Sequence, residues 1–195
     1  MQGALVVLAA YLMGSISFAI VLSRLFALPD PRSYGSGNPG ATNVLRTGSQ
    51  HVAALTLLGD GGKGWLAVWI AALVEPAAVP YAGVAVFLGH LFPVFHGLKG
   101  GKGVATAAGV LIALHPVLGL GTLATFAVIV AFFRMISLAS IIAAAFAVFW
   151  AWFLFGMTPV TPVVGAMSLL LIWRHHENIA RLVHGKEPRI GAKAQ

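Results

Sequence analysis

The sequence predicts an all-α integral membrane protein with about seven transmembrane helices, some of them short or broken. Hydrophobic residues occupy 59% of the 195 positions and charged residues 9%, whereas a soluble domain carries roughly 25% charged residues. The mean hydropathy is +0.92, and several apolar runs reach the ~20 residues that a helix needs to cross a bilayer. Because no internal repeat or linker interrupts the chain, we expect residues 1–195 to form a single transmembrane domain.

The predicted spans are seven apolar segments separated by polar or proline-containing breaks. The first, 3–22, has no positive charge before it and Arg24 after it, the reverse of a cleaved signal peptide, so we expect it to remain as a span. We expect the second to break at its polar stretch 60–64, and His115-Pro116 to divide a longer apolar stretch into two spans. The segments after the first cover 51–74, 81–95, 104–114, 117–133, 136–155 and 163–173.

The distribution of positive charge predicts which ends face the cytoplasm. If loop 29–50, the later glycine-rich loop, Arg134 and the C-terminal tail are cytoplasmic, eleven of the twelve Lys and Arg residues lie inside and only Lys63 lies within a span. This arrangement places the N-terminus outside and the C-terminus in the cytoplasm. It requires seven crossings, or five if 104–133 is re-entrant, whereas one long span there would put the five cations of the tail outside. The same rule accounts for a pI of about 10.4, so we expect no nucleic-acid partner.

Residues 98–104, which we call the lysine–glycine loop, are the strongest candidate for binding an anion. Glycine lets backbone N–H groups approach a ligand, lysine supplies a point charge that suits phosphate, and the apolar run after this loop predicts a helix N-terminus, which attracts anions. We therefore expect phosphate to bind at Lys99, Gly100, Gly101, Lys102 and Gly103. A Walker A loop is excluded because Gly97 is one position out of register and Gly103 stands where Ser or Thr is required, so ATP hydrolysis is not predicted.

The polar loop 35–46 is rich in groups that suit a polyol or a phosphate. Its G-x-G-x-x-G pattern follows no predicted strand, so it does not indicate a dinucleotide site. Asn38 is placed to cap a helix that has Pro39 at its first position, and Arg46 can bind phosphate in a bidentate manner. The alternative is a tight connector whose Gly and Asn residues only make turns. The candidate ligands are Ser36, Gly37, Asn38, Thr42, Asn43 and Arg46.

The basic tail offers a histidine close to an asparagine. On a helix His175 and Asn178 share a face, and His175 is a candidate general base or phosphate ligand. The zinc pattern H-E-x-x-H fails because Ala180 stands at its last position, so no metal site is predicted. The alternative is a basic juxtamembrane helix that is attracted to anionic lipid.

One pair of opposite charges lies inside an apolar segment. Asp60 and Lys63 are three residues apart, a spacing at which they can neutralise each other on a helix. Ionisable residues in spans are rare and usually paired or functional. Lys63 is either a structural partner of Asp60 or a further phosphate ligand, and the sequence leaves both roles open.

Together these segments resemble the bacterial acyl-phosphate:glycerol-3-phosphate acyltransferase family. The resemblance runs from the first span to Arg189 and rests on four ordered motifs. They are Gly35-Ser36-Gly37-Asn38-x-Gly40-Ala41-Thr42-Asn43-Val44-x-Arg46, Asp60-x-x-Lys63-Gly64, Gly89-His90-x-x-Pro93-Val94-Phe95 with Lys99-Gly100-Gly101-Lys102-Gly103-Val104-Ala105-Thr106, and Arg174-His175-x-x-Asn178-Ile179-x-Arg181-Leu182 with Glu187. It implies a seven-helix enzyme of the bacterial cytoplasmic (inner) membrane whose active site faces the cytoplasm. Such an enzyme transfers a fatty acyl group from acyl phosphate to glycerol 3-phosphate and gives lysophosphatidic acid and phosphate, the first acylation of phospholipid biosynthesis.

The resemblance also suggests roles for the candidate residues. Acyl phosphate is an activated mixed anhydride, so no covalent intermediate is needed, and the chain has no cysteine to form one. The enzyme mainly has to align two anionic substrates and stabilise the developing charge. We expect the lysine–glycine loop to hold acyl phosphate, Glu187 to fix the tail helix within the substrate site, and either His175 or the substrate's own phosphate to accept the proton. Ser36, Arg46, His175 and Asn178 would act on glycerol 3-phosphate. Membrane lipids are the other expected contacts, with no cofactor and no obligate protein partner.

Two other classes of protein fit this sequence less well. A soluble-type acyltransferase that uses acyl-CoA carries His-x-x-x-x-Asp, but Leu55 stands five residues before Asp60 and Leu25 five before Asp30. A membrane transporter of phosphate or an organic phosphate would suit helices broken at 60–64 and at His115. Its binding site would lie near the midplane between repeats, however, whereas here the polar segments gather on one face and no repeat is visible.

Overall fold

The computed structural model describes residues 1–191, and every regular element in that range is helical. The chain divides into two compact units, the first from Met1 to Leu114 and the second from His115 onward. The first contains α1 (Gln2–Gly14), α2 (Phe18–Leu25), α3 (Ala41–Val44), α4 (Gln50–Val74), α5 (Val79–Leu91) and α6 (Val104–Leu114). The second contains α7 (Pro116–Phe133), α8 (Ile136–Phe155), α9 (Val160–Arg174) and α10 (His176–Val183). Short 3-10 turns lie at Leu45–Thr47, Pro76–Ala78 and Val94–His96.

The first predicted span forms two helices with a bend between them. It is divided at Ser15–Ser17 into α1 and α2, and the two axes are bent by 44°. At the break the carbonyl of Ile16 accepts a hydrogen bond from the ammonium of Lys63 on α4, at 2.6 Å. The break therefore supplies an acceptor for a buried charge that lies 47 residues further along the chain.

The expected break at 60–64 is wrong, because α4 runs without interruption from Gln50 to Val74. Asp60 and Lys63 are neutralised inside the helix by a direct ion pair of 2.8 Å. Gly64 of this stretch serves helix packing, because a side chain there would overlap the backbone carbonyl of Thr106 on α6. Glycine here allows α4 and α6 to approach backbone to backbone, as small residues do between helices in membranes.

The predicted break at His115 is confirmed. Helix α6 ends at Leu114 and α7 begins at Pro116. The His115 side chain accepts a hydrogen bond from the N–H of Val117 at 3.2 Å and so caps α7, while proline occupies the first helical position, where no N–H is needed. The last apolar run also forms a helix, α9, which begins three residues earlier than its predicted start.

Four helical segments are long and apolar enough to span a membrane, and the bent pair α1–α2 makes a fifth. The four are Gln50–Val74, Pro76–His96, Pro116–Phe133 and Ile136–Phe155. Helices α6 and α9 are apolar but have 11 and 15 residues, which is ~16 and ~22 Å at 1.5 Å per residue, less than the ~30 Å hydrocarbon core. All seven predicted apolar segments are thus helical, but by length alone four or five of them count as spans.

Candidate active site

The lysine–glycine loop leads directly into α6, which begins at Val104 as predicted. On its other side the loop folds back along the end of α5. The N–H of Gly100 donates to the carbonyl of Leu91 at 3.2 Å, and the N–H of Gly101 donates to the carbonyl of His90 at 3.1 Å. These two N–H groups hold the loop to the end of α5.

The glycines are required because the loop packs closely on α5. A Cβ at Gly101 would overlap Nε2 of His90, and a Cβ at Gly103 would overlap the ring of Phe87. Gly103 also has a φ of +81°, a conformation that L side chains rarely adopt. What remains for an anion is the first turn of α6, because the first N–H groups of a helix have no partner within it.

Two lysines precede this helix N-terminus in the chain. Lys99 is exposed and Lys102 is partly buried. Val104 and Ala105, the first residues of α6, are also partly exposed. A helix N-terminus with adjacent ammonium groups combines N–H donors, a favourable dipole and positive charge, which is what a phosphate requires. The structure thus supports an anion site made of the α6 N-terminus and Lys102 more than one made of the Gly100 and Gly101 amides.

The polar loop before α3 is organised by Asn43, whose side chain is 2% exposed. Its amide oxygen accepts from the N–H of Ser36 at 3.1 Å. Its amide nitrogen donates to the carbonyls of Pro31 at 2.7 Å and Tyr34 at 3.1 Å. All these contacts lie within the protein, so Asn43 shapes the loop that presents Ser36.

Arg46 lies on the same loop as Ser36. A Cβ at Gly35, whose φ is +59°, would overlap Oδ1 of Asn43 and come within 2.9 Å of Cδ of Arg46. Gly35 therefore lets the Arg46 side chain lie beside the turn that carries Ser36, and both side chains belong to exposed residues. Gly37 and Thr42 are exposed as well, and Asn38 is partly buried.

The predicted capping role of Asn38 is wrong. Helix α3 begins at Ala41 with Gly40 as its N-cap, and no side chain caps it. The carbonyl of Asn38 accepts instead from the N–H of Gly40 at 2.9 Å. Pro39 consequently lies in the turn before the helix, because the backbone must first reach the extended conformation of Gly40, with φ −155° and ψ 163°.

The beginning of this loop is held by an ion pair. Arg32 donates through Nε and Nη2 to the two carboxylate oxygens of Asp30, at 3.0 and 2.7 Å. These hydrogen bonds from the Arg32 side chain hold the pKa of Asp30 at about 2. Burial raises the pKa of Tyr34, the next ionisable residue of the loop.

Lys63 takes the first of the two roles that the sequence left open. Its ammonium donates to Asp60 Oδ1 at 2.8 Å and to the carbonyl of Ile16 at 2.6 Å. Both side chains of the pair are 3% exposed. An ammonium buried to this extent and hydrogen-bonded twice is a structural partner of Asp60, and its burial argues against direct contact with a substrate phosphate.

In the second unit, Glu187 fastens the tail as expected. Its Oε1 accepts from the hydroxyl of Ser137 and from the amide nitrogen of Asn178, both at 2.6 Å, and its Oε2 accepts from Nε of Arg181 at 2.8 Å. Burial favours a raised pKa for Glu187, but the hydrogen bonds from these three side chains outweigh it and hold the pKa below its usual value. These contacts of Glu187 are all with the protein and describe a structural role, and its place among the substrate ligands stays a prediction.

His175 lies at the junction between α9 and α10 and is 3% exposed. Its Nδ1 is 2.8 Å from the carbonyl oxygen of Leu171. Because a carbonyl only accepts, Nδ1 carries the hydrogen, and in the neutral ring Nε2 is the basic nitrogen. A histidine held in this tautomer is suited to general-base work. Asn178, one turn further on, is oriented by its bond to Glu187.

Three polar side chains that structure these sites were missed as functional candidates. Ser137 binds Glu187, and His90 and Thr106 lie 3.2 Å apart between α5 and α6. The signal was present for His90, because an ionisable residue near the end of an apolar helix is unusual. Nothing local marked Ser137, whose partner is 50 residues away.

Comparison with known proteins identifies the family. The family model described as glycerol-3-phosphate acyltransferase matches residues 4–185. A Cupriavidus necator protein named glycerol-3-phosphate acyltransferase is 58% identical, covering 99% of this chain and 98% of its own, and one of the same name from Ralstonia nicotianae is 58% identical over 95% and 92%.

Two solved structures show the same fold. A crystal structure of PlsY (YgiH), an integral membrane glycerol 3-phosphate acyltransferase in its glycerol 3-phosphate form, matches with a TM-score of 0.93 and 38% identity, covering 98% of this chain and 96% of that one. Its lysophosphatidic acid form matches with a TM-score of 0.91 and 37% identity over the same shares. The motif resemblance is therefore confirmed, and this chain belongs to the glycerol-3-phosphate acyltransferase family of integral membrane proteins.

Proposed function

We propose that this protein transfers a fatty acyl group from acyl phosphate to glycerol 3-phosphate, giving lysophosphatidic acid and phosphate, in the first acylation of phospholipid synthesis. Its relatives are named glycerol-3-phosphate acyltransferase. The two similar solved structures are of PlsY in its glycerol 3-phosphate form and in its lysophosphatidic acid form. The observation that supports acyl phosphate as the donor is the lysine–glycine loop. This loop places Lys102 next to the N-terminus of the apolar helix α6. A donor with an anionic phosphate and an apolar chain suits a positively charged site at the start of an apolar helix.

The reaction forms an ester bond and breaks the mixed anhydride. The attacking hydroxyl oxygen of glycerol 3-phosphate bonds to the acyl carbon, its proton passes to a base, and the bond from the acyl carbon to the phosphate oxygen breaks. Negative charge grows on the departing phosphate. Hydrogen-bond donors that are already in position before the reaction stabilise such charge without having to reorganise. We assign this role to the N–H groups of Val104 and Ala105 and to the ammonium of Lys102. Lys99, Gly100, Gly101 and Gly103 hold the loop in place for this donor.

The acceptor's phosphate and hydroxyls are assigned to the polar loop of the first unit. The guanidinium of Arg46 binds the phosphate in a bidentate manner. Ser36 and Thr42 supply hydroxyl groups that hydrogen-bond to the glycerol. Gly37 and Asn38 contribute backbone and amide contacts, while Asn43 keeps Ser36 in position.

The second unit is assigned the proton transfer. His175 accepts the proton at Nε2, because its Nδ1 hydrogen is held by Leu171. Asn178 is oriented by Glu187 to donate to the acceptor substrate.

For the membrane arrangement we propose seven crossings of the bacterial inner membrane, with the N-terminus outside and the C-terminus in the cytoplasm. This is supported by the distribution of Lys and Arg, which favours the cytoplasmic side. Helices α6 and α9 would cross as short helices, which a membrane accommodates by local thinning and by flanking side chains that reach the interface. The reaction would then take place on the cytoplasmic face, and it needs neither a cofactor nor a protein partner.

The decisive experiment compares two acyl donors. Purified protein in detergent receives palmitoyl phosphate and labelled glycerol 3-phosphate, and a parallel reaction receives palmitoyl-CoA. We expect labelled lysophosphatidic acid from palmitoyl phosphate only. Its absence would refute the proposed function, and product from the CoA reaction alone would change the donor. The transporter alternative has lost one support, because α4 is not broken at 60–64.

A further inference from the structure

Four buried polar side chains form a cluster behind the lysine–glycine loop. They are Asp60 and Lys63 of α4, His90 of α5 and Thr106 of α6. Thr106 is 0% exposed, although it belongs to the first turn of the helix whose N-terminus forms the anion site. The four side chains therefore lie inside the protein, immediately adjacent to the groups assigned to the donor phosphate.

The contacts within the cluster determine how the His90 ring is held. The hydroxyl of Thr106 donates to the backbone carbonyl of Asp60 at 3.0 Å. Nδ1 of His90 lies 3.2 Å from that hydroxyl oxygen and 3.5 Å from Oδ1 of Asp60. The hydroxyl hydrogen is already used and a carboxylate only accepts, so Nδ1 carries the hydrogen and points at α4 and α6.

The opposite edge of the same ring faces the lysine–glycine loop. A Cβ at Gly101 would overlap Nε2 of His90, and the N–H of Gly101 donates to the His90 carbonyl at 3.1 Å. His90 therefore contacts Gly101 with its ring and with its backbone. Because His90 also contacts Asp60 on α4 and Thr106 on α6, the positions of these two helices determine where the lysine–glycine loop can lie.

Stability alone does not explain why an ion pair is kept here. Buried ion pairs are often replaced by apolar residues of similar size without loss of stability, because desolvation offsets the attraction between the charges. Lys63 additionally uses the carbonyl released where α1 and α2 separate, at Ile16. A cluster that joins this break, α4, α5 and α6 at one point is suited to fixing geometry.

We propose that Asp60, Lys63, His90 and Thr106 are positioning residues that set the distance between Gly101 and the α6 N-terminus and thereby the affinity for the phosphoryl group of the acyl donor. The proposal rests on the proposed function, in which that group binds at the lysine–glycine loop. The cluster acts through the loop and not by touching the substrate. Its loss should therefore weaken binding of the donor and leave binding of glycerol 3-phosphate unchanged.

The test is the variant Thr106→Val, which keeps the side-chain shape and removes both hydrogen bonds. We expect the KM for palmitoyl phosphate to rise about tenfold, while the KM for glycerol 3-phosphate changes less than about twofold. Thr106→Ser, which restores the hydroxyl, should return the donor KM toward that of the unaltered protein. The matched control is Thr56→Val, a buried threonine of α4 whose hydroxyl donates only to its own helix, at Val52, and it should change neither KM.

A second variant keeps the proposal testable if Thr106→Val does not fold. Asp60→Asn combined with Lys63→Met removes both charges together, so neither is left buried without its partner, and it should raise the donor KM selectively as well. The proposal is overturned if the variants fold and keep the donor KM, if both KM values rise together, or if neither variant folds, since the cluster would then serve folding only. An inactive unaltered protein would instead refute the proposed function.

Discussion

Replacing Glu187 by glutamine should loosen the tail that carries Asn178. In the structure one carboxylate accepts three short hydrogen bonds, of 2.6, 2.6 and 2.8 Å, from three side chains. Glutamine keeps an oxygen for Ser137 and Asn178, but places an amide N–H against the donor of Arg181.

The expected magnitude follows from these bonds. A hydrogen bond to a charged group contributes ~1.5–3 kcal/mol and a neutral one ~0.5–1.5 kcal/mol, so each of the two retained bonds loses about 1 kcal/mol. The Arg181 side chain is 39% exposed, so its ion pair adds no more than about 1 kcal/mol. We expect Glu187→Gln to destabilise docking of α10 by about 2 kcal/mol, which corresponds to a roughly 30-fold increase in opening.

Hydrogen exchange of the α10 amides in detergent measures this directly. The matched control is Glu177→Gln, an exposed glutamate in the first turn of the same helix, which should change exchange less than about fivefold because an exposed charge there contributes no more than about 1 kcal/mol. If exchange of α10 in Glu187→Gln equals that of the unaltered protein, the assigned role of the carboxylate is refuted. The pKa of Glu187 is lowered on folding, so its contribution is complete above about pH 4.5, its unfolded value, and is lost as the pH falls through the lower folded pKa.

Three further predictions test the assigned site. His175→Ala should lower kcat about 100-fold or more, as loss of a general base does, and normal turnover at saturating substrate would show that the substrate's own phosphate is the base. Asn43→Ala removes the side chain that positions Ser36, so steady-state kinetics should show a raised KM for glycerol 3-phosphate with little change for the acyl donor, and the reverse pattern would contradict its placement. Lys102→Met should raise the donor KM about tenfold or more by loss of a charged hydrogen bond, more than Lys99→Met at an exposed position; equal effects would show that only net charge matters.

The sequence predicted most of the fold and located the polar motifs, but local patterns were less informative about single roles. The apolar runs, the separation at His115 and the helix after Gly103 all follow from hydropathy and proline placement, and the structure confirms them. By contrast, the internal roles of Asn43 and Glu187 depend on bonds to side chains and carbonyls that are brought close only by folding. The residue types alone indicated that the side chains of Asn43 and Glu187 make polar contacts. They did not indicate whether the partner of each side chain is a substrate or another part of the protein.

The error at 60–64 and the bend in the first span have one physical cause. The charged stretch at 60–64 was expected to break its helix because that expectation considered the segment alone. In the folded protein the ammonium of Lys63 is shared between Asp60 on its own helix and the carbonyl of Ile16, 47 residues away. The ion pair lets α4 stay intact, and the opening between α1 and α2 supplies the second acceptor. The unbroken α4 and the break between α1 and α2 are therefore both explained by the hydrogen bonds of Lys63. The cluster that Lys63 forms with Asp60, His90 and Thr106 lies against the lysine–glycine loop and supports it.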